Sequence, residues 1–177
     1  MLLGIGLVPN NCPADIYSIN PSESQISFKA TRLGIPFVSG HFNSYRGTLN
    51  IEEGKFNEFK GTLDIASLET GILARDNFLK SGNFFDTQNY PILTIESRQI
   101  SQAENKILID ALLTVKGITK PMKLSGTLKN SGLPRNEAKL VLRGVIRRHE
   151  YGLKLNKILE LFVNDDVKIF LRLNAQK

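Results

Sequence analysis

The 177-residue sequence predicts one all-β domain, an antiparallel sandwich or barrel of about eight strands. Three observations predict it. Apolar and polar residues alternate with period two in run after run. Turn residues separate the runs at close spacing, and no long helical period interrupts them, which argues against a parallel α/β sheet.

The clearest alternating runs are Gln25 to Ala30, Arg46 to Ile51, Phe59 to Ile65 and Val167 to Leu173. Each reads as a half-buried strand with one face to a core and one to water. Thr94 to Ile100, Lys106 to Leu113, Met122 to Leu128 and Lys139 to Ile146 read the same way. Glu52-Glu53-Gly54-Lys55, Asn130-Ser131-Gly132 and Asn164-Asp165-Asp166 read as the turns between strands. One segment, Glu69 to Phe85, breaks the alternation. Leu73, Asn77 and Lys80 share one helical face there, with Ile72, Arg75, Phe78 and Leu79 around another. A short helical insert of two to three turns around 69–82, ended by Gly82, is expected, placed to cover an open barrel end.

Composition excludes several classes. Hydrophobic residues make up 41% and charged residues 23%, ordinary for a globular chain with a real core. The net charge is +6, but the cations are dispersed, with Arg147-Arg148 as an adjacent basic pair. That is not the basic stripe that phosphate backbones require, so no nucleic-acid partner is expected. A single cysteine, Cys12, excludes an intrachain disulfide. Residues 1–14 read as an N-terminal extension or the remnant of an export signal, with 15–177 as the domain. Met1 to Val8 is apolar but short and without a basic flank. No apolar stretch is long enough for a transmembrane span.

Conventional catalytic motifs are missing from the linear sequence. There is no glycine-rich phosphate loop, and two histidines, His41 and His149, do not form a metal-ligand spacing. The expectation is no metal, no cofactor, no catalytic residue and no enzyme. The positive signals are aromatic. Phe42, Phe78, Phe84, Phe85 and Tyr90 crowd around the insert, either as ordinary core or as the lining of a cavity. An eight-stranded barrel is just wide enough to be filled by side chains or to hold one ligand. A long apolar chain gains about 0.8 kcal/mol per buried methylene there. The Arg75-Asp76 pair is either an exposed helix pair or polar chemistry orienting a head group at the barrel mouth.

Ordered blocks then carry a family resemblance. They are Tyr17-Ser18-Ile19-Asn20-Pro21 with Ser24 to Phe28, Gly40-His41-Phe42 with Tyr45 to Leu49, and Ile65 to Gly71. Arg75 to Ser81, Phe84-Phe85-Asp86, Tyr90-Pro91 and Leu113 to Pro121 complete them. From about Tyr17 to Ala175 the chain resembles the YceI-like polyisoprenoid-binding proteins. It departs from their pattern at Phe78, where a histidine is usual, and in Arg148-His149-Glu150-Tyr151-Gly152, where Arg-x-Asp-aromatic-Gly is usual.

The resemblance implies an extended eight-stranded antiparallel β-barrel, lipocalin-like, around an apolar tunnel. It implies a binding or carrier protein for a polyisoprenoid, an isoprenoid quinone or a polyprenyl phosphate, acting in lipid transport or stress responses. It also implies a homodimer and a periplasmic or secreted location, with the export signal truncated or absent in this chain. The candidate tunnel residues are Phe28, Phe37, Phe42, Phe78, Leu79, Phe84, Phe85 and Tyr90, and the candidate head-group residues are Arg75 and Asp76. The alternatives are a lipid-modifying enzyme using Arg75, Asp76 or His41, and an interaction module built on the same barrel.

Overall fold

The computed structural model describes residues 15–32, 34–130, 136–160 and 163–177. The readings made above on residues 1–14, Cys12 included, lie outside them, as does most of the turn at Asn130-Ser131-Gly132.

The described chain forms eleven strands. They are β1 (Asp15–Ile19), β2 (Gln25–Arg32), β3 (Ile35–Phe42), β4 (Tyr45–Glu52), β5 (Lys55–Asp64) and β6 (Leu68–Glu69). After the helix α1 (Leu73–Lys80) come β7 (Ile92–Ala103), β8 (Lys106–Val115), β9 (Ile118–Asn130) and β10 (Glu137–Arg147). A short turn of helix, α2 (Lys157–Glu160), precedes β11 (Val163–Gln176). Every pairing is antiparallel, and eleven strands make eight staves because three staves are broken in two. β1 continues into β2 and both pair with β11. β3 and β4 pair with β2 and β1, and β5 and β6 with β4 and β3. The β1–β11 pairing at Ser18↔Gln176 closes the barrel. Closure removes the exposed edges that would otherwise recruit other chains.

Two expectations are corrected. Asn164-Asp165-Asp166 is not a turn: β11 runs straight through it, and the β2 register shifts between Val163 and Val167. A bulge uses the same short polar residues as a turn but keeps the strand going. The helix is shorter than 69–82 and ends before Gly82. The Ser81 amide closes α1 by donating to the Asn77 and Phe78 carbonyls.

The two halves of the barrel are filled differently. Tyr17, Leu49, Ile51, Phe56, Phe59, Ile109, Leu124, Leu140 and Leu142 sit in the half that carries the β4–β5 and β7–β8 turns. All are essentially inaccessible and form a packed plug. In the opposite half, Phe28, Leu93, Ile146 and Ile169 pack against that core but are only half-buried.

Candidate functional site

The less-filled half is hollow. A cavity of about 180 Å³ lies under α1 and the loop that follows it. A second, of about 90 Å³, lies deeper, towards the plug. Phe28, Phe42, Leu93, Ile146 and Ile169 border both, so the two cavities adjoin along the barrel axis. Each is several times the space of about 10–15 Å³ that one water occupies.

Local sequence explains the roof. The Thr70 hydroxyl accepts from Arg75 Nε at 2.8 Å and donates to the Asp76 carboxylate, which also accepts from the Thr70 amide at 3.0 Å. Arg75 Nη2 donates to the Thr70 carbonyl at 2.9 Å. This clamp fixes the strand-to-helix corner, since the N-cap residue Ile72 supplies no side-chain bond. After α1 the chain folds back, with the Phe85 amide on the Leu79 carbonyl and the Thr87 amide on that of Lys80. Lys116 Nζ, from the β8–β9 turn, donates to the Phe84 carbonyl at 2.9 Å. The rings follow: Phe84 meets Phe85 edge-on at 5.0 Å and Phe78 at 6.1 Å, and Phe28 meets Phe42 at 5.6 Å.

Of the residues named from sequence, Phe28, Phe37, Phe42, Phe78, Leu79, Phe84, Phe85 and Arg75 all border the cavity. Phe37 does so at the rim, 42% exposed, with the Arg32 guanidinium 5.8 Å from its ring centre. Two lie elsewhere. Tyr90 rests outside the cavity on Gly117, whose missing Cβ would stand 2.9 Å from the ring, and Gly117 takes a positive φ of 74° in the β8–β9 turn. Asp76 is buried, but its carboxylate is turned to Thr70 and away from the cavity. His41 is half-exposed on the barrel surface, 3.7 Å from Glu69.

Sequence reading missed the opposite wall. Arg148, 3% exposed, borders the cavity with its guanidinium fully engaged. It makes a fork to Glu160 at 3.0 and 2.8 Å and donates to the carbonyls of Leu153, Val163 and Asn164. His149 lies 2.7 Å from both Glu160 and Asp165. The Arg148 bonds hold the Glu160 carboxyl down at about 2 against an ordinary 4.5. The network ties Leu153, Glu160 and Val163 to Arg148 at the cavity side. Its nearest signal in the sequence was the Arg-x-Glu-Tyr-Gly block itself. Among the described lining residues of both cavities there is neither a carboxylate nor an imidazole.

Comparison with known proteins matches the YceI-like domain family model over residues 17–175. The chain belongs to that family. This YceI-like domain is 30% identical over 161 residues to the UPF0312 protein SAB2563 of Staphylococcus aureus, spanning 86% of this chain and 92% of that one. Among solved structures, BcnA of Burkholderia cenocepacia superposes with a TM-score of 0.80 at 22% identity, over 89% of this chain and 99% of that one. The Campylobacter jejuni YceI protein superposes at 0.70 and 24% identity, over 83% and 89%. A polyisoprenoid-binding domain from Saccharophagus degradans superposes at 0.66 and 17% identity, over 90% and 97%. At these identities the structures establish the shared barrel.

Proposed function

We propose that this YceI-like domain binds one long apolar lipid of the isoprenoid class along the barrel axis and carries it through water. The observation that carries this reading is the pair of apolar cavities that adjoin at Phe28, Phe42, Leu93, Ile146 and Ile169. A hollow in a folded core costs stability, because its lining forgoes dispersion contacts. A chain in that hollow restores them and leaves water, at about 0.8 kcal/mol per methylene. The Saccharophagus domain, a polyisoprenoid binder of the same fold, supports the choice of lipid class. Phe37, Phe78, Leu79, Phe84 and Phe85 serve as the upper tunnel wall, and Arg75 as the polar residue at the mouth. Asp76 serves by holding the Thr70 corner on which Arg75 rests. A carrier of this kind is useful where such lipids must leave a membrane, as in the periplasm or outside the cell.

Chain length is the test. The protein has no tryptophan, so Phe84→Trp adds a single emission reporter at the cavity. Titration with prenols of increasing length should give affinity that climbs steeply with each isoprene unit and then levels once the tail outruns the tunnel. Affinity independent of length would refute an axial tunnel.

A further inference from the structure

Along the sequence the cations are dispersed, but the barrel gathers them. β9, β10, β11 and β2 are consecutive staves of one wall. The strand period of two turns Lys129, Lys139, Arg143, Lys168, Arg172 and Lys29 outward, and all six are exposed. The register sets Lys139 opposite Lys129 and Lys29 opposite Lys168. Arg143 lies opposite Phe170, with Arg172 two positions further along β11. The six form a band that runs from the plug end, at Lys129, to the mouth, at Lys29. Among the described residues none of them forms an ion pair.

Like charges directly opposed across a sheet repel and weaken the pairing. Acids could relieve this, but those of the four strands, Glu137, Asp165 and Asp166, stand at or near strand ends. Asp165 is held by His149 at 2.7 Å, and Asp166 faces Arg147 at 3.9 Å. The opposite wall is built the other way: Lys60 pairs with Glu58 at 2.6 Å and lies opposite Glu96. The missing counter-charge on the basic wall therefore has to come from an anionic surface outside the chain.

Apolar side chains interleave with these cations. Val141 and Val145, 39% and 49% exposed, share the outward face of β10 with Arg143. At the mouth, β3 adjoins β2 and exposes Ile35 at 70%, beside Phe37 on the cavity rim. Cations whose stems lie over apolar surface suit a bilayer interface, where lipid charge and hydrocarbon meet. Single-stranded nucleic acid holds on through bare aromatic rings, and the ring on this band, Phe170, already carries the Lys29 ammonium at 5.7 Å.

We propose that the wall of β9, β10, β11 and β2 docks on an anionic lipid bilayer, with Ile35 and Phe37 entering the interface and setting the cavity mouth against it. The docking stands apart from the lipid-binding reading above, because an empty barrel carries the same charges.

The test is co-sedimentation of the full chain with vesicles of phosphatidylcholine alone or mixed equally with phosphatidylglycerol. Wild type should bind the mixed vesicles, leave them as salt rises, and ignore phosphatidylcholine. Lys29→Gln with Lys168→Gln should weaken that binding about thirtyfold, at about 1 kcal/mol for each cation lost. Lys55→Gln with Lys106→Gln, which removes two exposed cations from the opposite wall, should weaken it far less. Ile35→Ser should weaken it several-fold without changing the salt dependence. A thermal melt of each variant checks folding. Equal binding to both vesicles, equal weakening by the two double variants, unchanged affinity in Ile35→Ser, or tighter binding of an oligothymidylate than of the mixed vesicles overturns the docking. The lipid reading is left standing by each of these results, since its own test reads occupancy of the cavity.

Discussion

The two halves of this barrel are built from the same kinds of residue and do opposite things with them. The plug around Leu49, Ile51, Phe56 and Leu140 is fully buried and solid. The half under α1 is richer in phenylalanine, yet Phe28, Phe42, Phe84 and Phe85 surround a space. The difference lies in what crosses the barrel axis. In the plug, inward side chains come from staves around the ring and meet in the middle. In the hollow half, two excursions from the wall, residues 65–91 and 148–160, roof and flank the space and hold the rings at its edge. An apolar residue type therefore says that a side chain is inside, not that the inside is full.

Substitutions in the two halves should separate these roles. The largest effect is expected in the plug. Phe56→Ala should cost about 3–5 kcal/mol in chemical denaturation, because transfer and cavity terms add in a site that cannot collapse. Next comes the strap. Arg148→Ala removes a buried guanidinium that Glu160 and three carbonyls share, at about 1.5–3 kcal/mol. Its pH signature is specific. Glu160 has a folded value of about 2, below its ordinary 4.5, so the stability it contributes is complete above about pH 4.5 and is lost as pH falls towards 2. Denaturation midpoints measured across that window should fall more steeply in wild type than in Arg148→Ala.

In the hollow half the effect on stability is smaller. Phe28→Ala, at a half-buried residue already beside open space, should cost about 1–2 kcal/mol, mostly lost transfer energy. The same change should weaken lipid binding more than Phe56→Ala does, which reverses the stability order. Smallest of all is a surface pair such as Lys123–Asp110. Its lysine is 74% exposed, and Lys123→Ala should stay within about 1 kcal/mol and shrink further in salt.

The staves were legible where one face meets water and the other a core, as in Arg46 to Ile51 and Val167 to Leu173, because pleating forces a period of two on such a surface. β3 is harder to see: Pro36 and Gly40 interrupt its alternation, and its register with β2 shifts beside Pro36. The Asn164-Asp165-Asp166 bulge resembled a turn because both need short polar residues. The aromatic cluster was legible as a cluster, but whether it filled or lined a space depended on the loops above it. The Arg148–Glu160 strap spans twelve positions through irregular chain, and no periodic pattern ties its ends together. β9 and β10 pair only as far as Leu124↔Gly144 although both strands run on, a divergence that neither strand states alone.

Native mass spectrometry of the full chain, purified without delipidation, tests the central claim most directly when run beside Leu79→Trp, which puts an indole into the upper cavity. A hollow that exists to hold a lipid predicts one bound long-chain isoprenoid per wild-type molecule and sharply reduced occupancy in Leu79→Trp at unchanged fold. Wild type that is empty, and stays empty after incubation with isoprenoid lipids, would contradict it.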